Sequence, residues 1–174
     1  MRSGMLGPVQ LRERVESGEL DTVLVVMTDM QGRLQGKRCS ARYFLDEVVG
    51  HATEACDYLL AVDVEMNTVD GFRDSSWDTG YGDFVLRPDP ATLRLVPWQP
   101  GTALVLCDVE RVRPEGEPVR VSPRQILRAQ LDRLAERGLR AYVGTELEFL
   151  VFDDTYESAW AGGYRGLTAA NQYN

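Results

Sequence analysis

The sequence predicts an α+β protein, with a small sheet domain first and the opening of a second domain after it. Three observations carry this. Apolar runs of strand length recur between turn-forming residues from Val23 to Cys107. A charged stretch rich in Pro and Gly, Arg111 to Pro118, then interrupts the pattern. Beyond it stand one well-signalled helix, starting at Ser122, and one apolar run, Leu139 to Phe152, that holds two glutamates. Several strands joined by turns around a single short helix predict an antiparallel or mixed sheet ending near residue 110.

Residues 8 to 18 place Val9, Leu11 and Val15 among charges, the pattern of a short amphipathic helix. Val23 to Met27 is a buried-strand run, and Thr28-Asp29-Met30-Gln31-Gly32 is a turn, since Asp supplies a local hydrogen bond and Gly a positive φ. Arg33 to Arg38 returns as the second arm of a hairpin. Ser40 caps a short helix through Phe44, Leu45 and Val48 that Gly50 ends. Strands are expected at Tyr58–Val62, Asp83–Arg87, Thr92–Val96 and Ala103–Cys107. Between the first two runs a loop from Glu65 to Gly82, without hydrophobic period, is a candidate functional loop, because compact domains seldom keep such long loops without a use.

The stretch after residue 110 reads as a linker, placed at 113–120. Ser122-Pro123-Arg124-Gln125 then predicts a helix start with Ser at N-cap, Pro at N1 and Gln closing a capping box. Ile126, Leu127, Leu131, Leu134 and Ala135 form its apolar stripe, and Gly138 stands at the C′ position. A strand is expected from Leu139 to Phe152, followed by a polar tail with no hydrophobic period. One helix and one strand cannot bury their own faces, so the chain is expected to be a fragment.

Charge and composition narrow the function. The net charge of −8, from 19 basic and 27 acidic residues, argues against a nucleic-acid partner and against an anionic membrane surface. No apolar run approaches the roughly 20 residues of a membrane span, and no signal peptide is evident after Arg2. Cys39, Cys56 and Cys107 are widely spaced without a C-x-x-C pair, which predicts reduced thiols in a cytoplasmic protein. The lone His51 reads as a helix-end or surface residue.

The most informative segment is Gly144-Thr145-Glu146-Leu147-Glu148-Phe149-Leu150-Val151-Phe152. On a strand, Glu146 and Glu148 would project from one face, their Cα atoms roughly 6.5–7 Å apart. Each carboxylate could then hold its own divalent ion, the ions roughly 4 Å apart. Burying two like charges costs heavily without such compensation. The alternative is a wet acidic edge of an antiparallel strand.

Thr28-Asp29-Met30-Gln31-Gly32 with Gly36-Lys37-Arg38, Gly82 to Asp89 followed by Thr92, Val96-Pro97-Trp98, Ser122-Pro123-Arg124 and Ala141 to Phe152, taken in order, give the chain a resemblance to the glutamine synthetase family. It implies a leader over 1–18, a β-grasp domain over 19–112, the linker, and a truncated start of the α/β catalytic domain over 121–174. It further implies an ATP-dependent ligase that phosphorylates the side-chain carboxylate of glutamate and lets ammonia or an amine displace the phosphate. Glu146 and Glu148 would each ligate one active-site ion, Mg²⁺ or Mn²⁺, with ATP as substrate. The full-length form would be a homo-oligomeric ring.

Ammonia-using members of that family carry an Asp-Gly-Ser-Ser stretch in the long loop. This chain reads Asp70-Gly71-Phe72-Arg73-Asp74-Ser75-Ser76-Trp77-Asp78-Thr79-Gly80-Tyr81-Gly82-Asp83, so Asp70, Asp74, Asp78 and Asp83 are the candidates for the amine or ammonium site. The split motif, with Ser158-Ala159-Trp160 and Tyr164 to Thr168, resembles the branch that uses larger amines. A non-catalytic β-grasp module docking on full-length ring subunits is the competing expectation.

Overall fold

The computed structural model describes residues 4–73, 75–78 and 80–171. They fall into two compact units, Met1–Leu139 and Arg140–Asn174.

In the first unit, α1 (Pro8–Glu16) begins with Pro at its first turn, where the missing N–H is no loss, and buries Leu11 and Val15. Strand β1 (Thr22–Thr28) turns through Asp29–Gly32 into β2 (Leu34–Ser40), in the register Thr22↔Ser40 to Thr28↔Leu34. Gly36 lies in this hairpin where a Cβ would stand 2.1 Å from the Val25 carbonyl oxygen, so only glycine lets the two strands approach. The Ser40 hydroxyl then accepts from the Tyr43 amide as the expected cap. The helix runs from α2 (Ala41–Tyr43) through a π turn, Phe44–Val48, into α3 (Val49–His51). It ends two residues later than expected: Gly50 stays helical, and Ala52 turns the chain with a positive φ (62°) directly into β3 (Thr53–Cys56).

Strands β4 (Asp83–Pro88), β5 (Arg94–Leu95) and β6 (Thr102–Arg111) complete a six-stranded mixed sheet in the order β2-β1-β6-β4-β3, with β5 paired to β6. β6 joins its two halves, running parallel to β1 over Thr102–Leu106 and antiparallel to β4 over Cys107–Arg111. Burial alternates along it, as the pleat requires: Ala103, Val105, Cys107 and Val109 are fully buried. Leu11, Phe44 and Val48 join Val23, Val25, Met27 and Leu86 in the same core. Burial pushes the Cys107 thiol up to about 12, so it behaves as an inert core residue.

Two strand expectations of the first unit are also overturned. Tyr58–Val62 is not a strand; Asp57–Leu60 forms a 3₁₀ turn, and the place beside β4 belongs to Thr53–Cys56. Leu60, Ala61 and Val62 are buried in succession, which an apolar run shares with a strand without implying one. Thr92–Val96 shortens to β5, since Pro90–Thr92 closes a 3₁₀ turn before it. The stretch over 113–120 folds back onto the sheet: the Arg111 amide donates to the Glu117 carbonyl at 2.7 Å, and the Val119 amide to the Val109 carbonyl at 2.9 Å.

Helix α4 (Pro123–Ala135) starts at Ser122 as expected, but without the capping box. The Ser122 hydroxyl is buried and has no hydrogen-bond partner among the described residues. Pro123 already removes one orphan donor from the first turn. Gly138 holds the C′ position at φ 71, with the Leu139 amide bonded to the Leu134 carbonyl at 3.0 Å. Arg124 ties the helix to the sheet through Asp108, at 2.9 Å, and Asp89, and Arg128 adds a second bond to Asp108.

In the second unit the strand expected from Leu139 to Phe152 does not form. A strand is stabilised by a ladder partner, and the described residues offer one bridge here, Phe152↔Ala169, flanked by Asp153–Thr168 and Ala170–Val151 backbone bonds. The tail's lack of hydrophobic period conceals α5 (Tyr156–Ala161), which Thr155 caps by accepting from the Ser158 amide at 3.2 Å.

Candidate active site

The long loop is built upward from the hairpin turn beneath it. Asp29 is buried, and its carboxylate accepts from the Gln31 amide (2.9 Å), the Arg33 amide (2.8 Å), Arg33 Nε (2.7 Å) and Gln35 Nε2 (3.1 Å). Burial alone would raise its pKa; the bonds from Gln35, Arg33 and Gln31 together outweigh that and hold it below the usual carboxylate range. Arg33, so oriented, spends its remaining donors on the Val64 carbonyl (2.7 Å) and the Asp63 carbonyl (2.9 Å), while Gln31 Nε2 donates to the Val62 carbonyl (2.9 Å). The residues that lead into the loop, Val62 to Val64, are thereby fastened to the β1–β2 turn. Asp63 organises the next turn by accepting from the Glu65 and Asn67 amides, each at 2.9 Å. The side-chain bond from Asn67 leads the causes that hold Asp63 below its ordinary pKa.

The far part of the loop is fastened to Asp57, whose buried carboxylate accepts from Ser75 Oγ (3.1 Å) and the Gly82 amide (3.0 Å). Trp77 stands edge-on to Tyr81 with ring centroids 5.1 Å apart, and Tyr81 edge-on to Tyr58 at 6.1 Å. This is a preferred aromatic geometry, and it leaves Trp77 mostly exposed beside an ordered support.

Of the four aspartates singled out in this loop, Asp74 lies outside the described residues. Asp70, Asp78 and Asp83 are exposed, and their carboxylates have no hydrogen-bond or ion-pair partner among the described residues. Asp83 opens β4, opposite Cys56, and lines a cleft of about 410 Å³ with Glu54, Asp57 and Arg111. A second cleft of about 540 Å³ is lined by Asp57, Phe72, Ser75 and Ile126 among others. Asp57 and the Arg33 clamp escape the sequence reading. Asp57 precedes an apolar run that reads as strand, and Arg33 sits in what reads as a second hairpin arm, so neither carries a local signal of loop binding.

Glu146 and Glu148 belong to the second unit. Both are exposed and without a side-chain partner among the described residues. No ladder among the described residues fixes how the two carboxylates project. No group of three or more His, Cys, Asp or Glu converges among the described residues, so these two carboxylates are free hard-oxygen donors short of the six or so ligands that Mg²⁺ requires.

Comparison with known proteins places this geometry. The family model for the glutamine synthetase catalytic domain matches residues 120–172. The chain is 61% identical over 173 residues to a γ-glutamylethanolamide synthetase of Streptomyces coelicolor, covering 99% of this chain and 37% of that protein. It is 36% identical over 159 residues to a glutamate–isopropylamine ligase of a Pseudomonas species, covering 91% of this chain and 34% of that protein. It therefore spans about a third of the length of these curated relatives. A crystal structure of a glutamine synthase homologue superposes with a TM-score of 0.57 at 20% identity, over 83% of this chain and 35% of that one, and so shares the fold. Alignment along nearly its whole length with one such relative, and of its 120–172 segment with the catalytic domain, shows that the chain belongs to the glutamine synthetase family.

Proposed function

We propose that this chain supplies part of an ATP-dependent ligase that joins an amine to the side-chain carboxylate of glutamate. The observation that carries the reading is the 61% identity to a γ-glutamylethanolamide synthetase over 173 residues, 99% of this chain. In this reading ATP phosphorylates the glutamate side chain, making its carbonyl electrophilic. The amine nitrogen then attacks that carbon, phosphate leaves, and the amine proton passes to a base. Asp70, Asp78 and Asp83 are exposed carboxylates suited to hold a cationic amine or take its proton. Trp77 and Tyr81 supply the aromatic wall that an organic amine, unlike ammonium, can use.

Glu146 and Glu148 are the donors this chain would give to divalent metal, Mg²⁺ or Mn²⁺, both matched to carboxylate oxygen. Bound there, the ions would neutralise phosphate charge. Their further ligands would come from the part of the relatives' length that this chain does not span. The domain division follows the same reading: a β-grasp domain over 19–112, then the start of the catalytic domain over 121–174. The hairpin β1–β2, the crossing helix and the return of β6 parallel to β1 support the first. A homo-oligomeric ring and a cytoplasmic location belong to the same proposal. No helix among the described residues is long and apolar enough to cross a membrane.

The test supplies ammonium and a panel of primary amines separately to the full-length protein, with glutamate and ATP, and follows phosphate release. Amine-dependent release that Glu146→Ala or Glu148→Ala abolishes supports the reading. A preference for ammonium that survives Trp77→Ala refutes the amine assignment, and full activity of either glutamate variant at saturating Mg²⁺ refutes the metal assignment. The 174-residue chain alone should release no phosphate.

A further inference from the structure

Residues 75 to 82 are held at both ends by one side chain. Asp57 Oδ1 receives the Ser75 hydroxyl at 3.1 Å and Asp57 Oδ2 the Gly82 amide at 3.0 Å, while the Asp57 amide donates to the Gly82 carbonyl at 3.0 Å. A single carboxylate therefore closes the segment into a ring. Trp77 lies inside that ring, and Tyr81 just before its closure rests on Tyr58, the residue after Asp57. The carboxylate is buried, with Ser75 buried beside it, whereas Trp77 and Asp78 are exposed. The anchor is thus sheltered from water and the carried residues are presented to it.

We propose that Asp57 is a positioning residue for amine selection: it fixes the tip of the loop so that Trp77, Asp78 and Tyr81 keep one arrangement toward the acceptor. The proposal rests on the acceptor reading of this loop given above. The physical argument is entropic. Closing a flexible segment costs conformational entropy each time a ligand needs it ordered, and an internal staple removes that cost before the acceptor arrives. Both oxygens of Asp57 are used, and the group at 57 must offer two polar atoms at this separation. Asparagine can meet that demand by accepting from the Gly82 amide and donating to the Ser75 hydroxyl; alanine cannot.

Two arms test it. In the 174-residue chain, amide hydrogen exchange is measured at Gly82 and across 75–82 for Asp57→Ala, Asp57→Asn and Ser75→Ala. Exchange at Gly82 is expected to rise about tenfold or more in Asp57→Ala, the equivalent of one lost hydrogen bond to a charged group. It should stay within about threefold of the parent in Asp57→Asn, and Ser75→Ala should free only the near end of the ring. Unchanged exchange in Asp57→Ala overturns the staple; if that variant fails to fold, unchanged exchange over 75–78 in Ser75→Ala overturns it instead.

In the full-length protein, Asp57→Ala should raise the KM for the amine about tenfold, with the KM for ATP within about twofold of the parent and Asp57→Asn restoring the amine value. A loop loosened in the first arm with no change in amine KM would leave the staple standing and overturn its role in selection. Equal rises in the KM values for ATP and amine would overturn it too, as a general structural effect.

Discussion

Asp29→Asn tests whether the hairpin turn holds the root of the long loop. The carboxylate accepts four hydrogen bonds, two on Oδ1 from the Gln31 and Arg33 amides and two on Oδ2 from Arg33 Nε and Gln35 Nε2. Asparagine can keep the first two through its oxygen. Its amide nitrogen then meets the Arg33 and Gln35 donors, so two favourable contacts become donor–donor clashes beside a guanidinium. Removing one partner of a buried ion pair costs about 3–5 kcal/mol. Here Arg33 is about a third exposed (side chain 32%) and can turn toward water, and Gln35 can rotate its amide, so the expected loss is about 2–3 kcal/mol.

For a chain of this length that corresponds to a Tm lower by ~4–12 °C. Urea denaturation of the 174-residue chain, followed by circular dichroism, measures the loss. Amide exchange at Glu65 and Asn67 should rise with it, since a turned-away Arg33 also releases the Asp63 and Val64 carbonyls. A stability change below about 0.5 kcal/mol, the range of ordinary surface substitutions, would refute the clamp.

The pH dependence follows from the same group. The folded pKa of Asp29 is lowered, so its contribution is complete above the unfolded carboxylate pKa of about 3.9 and is lost as pH falls through the folded value. Acid titration of stability should show a limb below about pH 4 that Asp29→Asn flattens; an identical limb in both proteins would refute the assignment. Gly36→Ala should cost about 3 kcal/mol or more, since its Cβ would meet the Val25 oxygen at 2.1 Å and the Val26 Cα at 2.9 Å. Gly32→Ala, with nothing within 4 Å, should cost only the strain of its φ of 82, about 1 kcal/mol, and equal melting temperatures for the two would refute the close-approach argument. Along α4, Ile126, Leu127 and Leu131 are exposed by 46%, 59% and 43%, so the 174-residue chain should self-associate, and Leu127→Lys should shift it toward monomer in sedimentation velocity. A parent chain already monodisperse and monomeric would contradict this.

Much of the architecture was legible because it rests on local rules. The apolar run Ala103–Cys107 located β6, the Asp29–Gly32 turn located the β1–β2 hairpin, and Ser40 and Ser122 located two helix starts. Where local rules gave two answers, the sequence reading took the wrong one. The apolar run Tyr58–Val62 is compatible with a strand and with a buried 3₁₀ turn, and only competition for the edge of β4 decided between them. The Glu146/Glu148 segment has strand-like composition, yet pairing is a property of two segments, and the described residues of its unit supply one bridge.

By itself, then, the sequence determined what depends on neighbours within a few residues: the Asp29–Gly32 turn, the helix starts at Ser40 and Ser122, the apolar run of β6 and the order of motifs that mark the glutamine synthetase family. It also named the loop aspartates, of which Asp70, Asp78 and Asp83 stand exposed with unpaired carboxylates among the described residues. Only the tertiary structure assigned the loop its supports. Arg33 reaches the Val64 carbonyl 31 positions away, Asp57 reaches the Gly82 amide 25 positions away, and Arg124 reaches Asp89 35 positions away. Contacts of that separation leave no period or spacing in the chain. They exist because burial of the β1–β6 core brings those backbones together, and a buried carboxylate must then find whichever donors the fold has placed beside it.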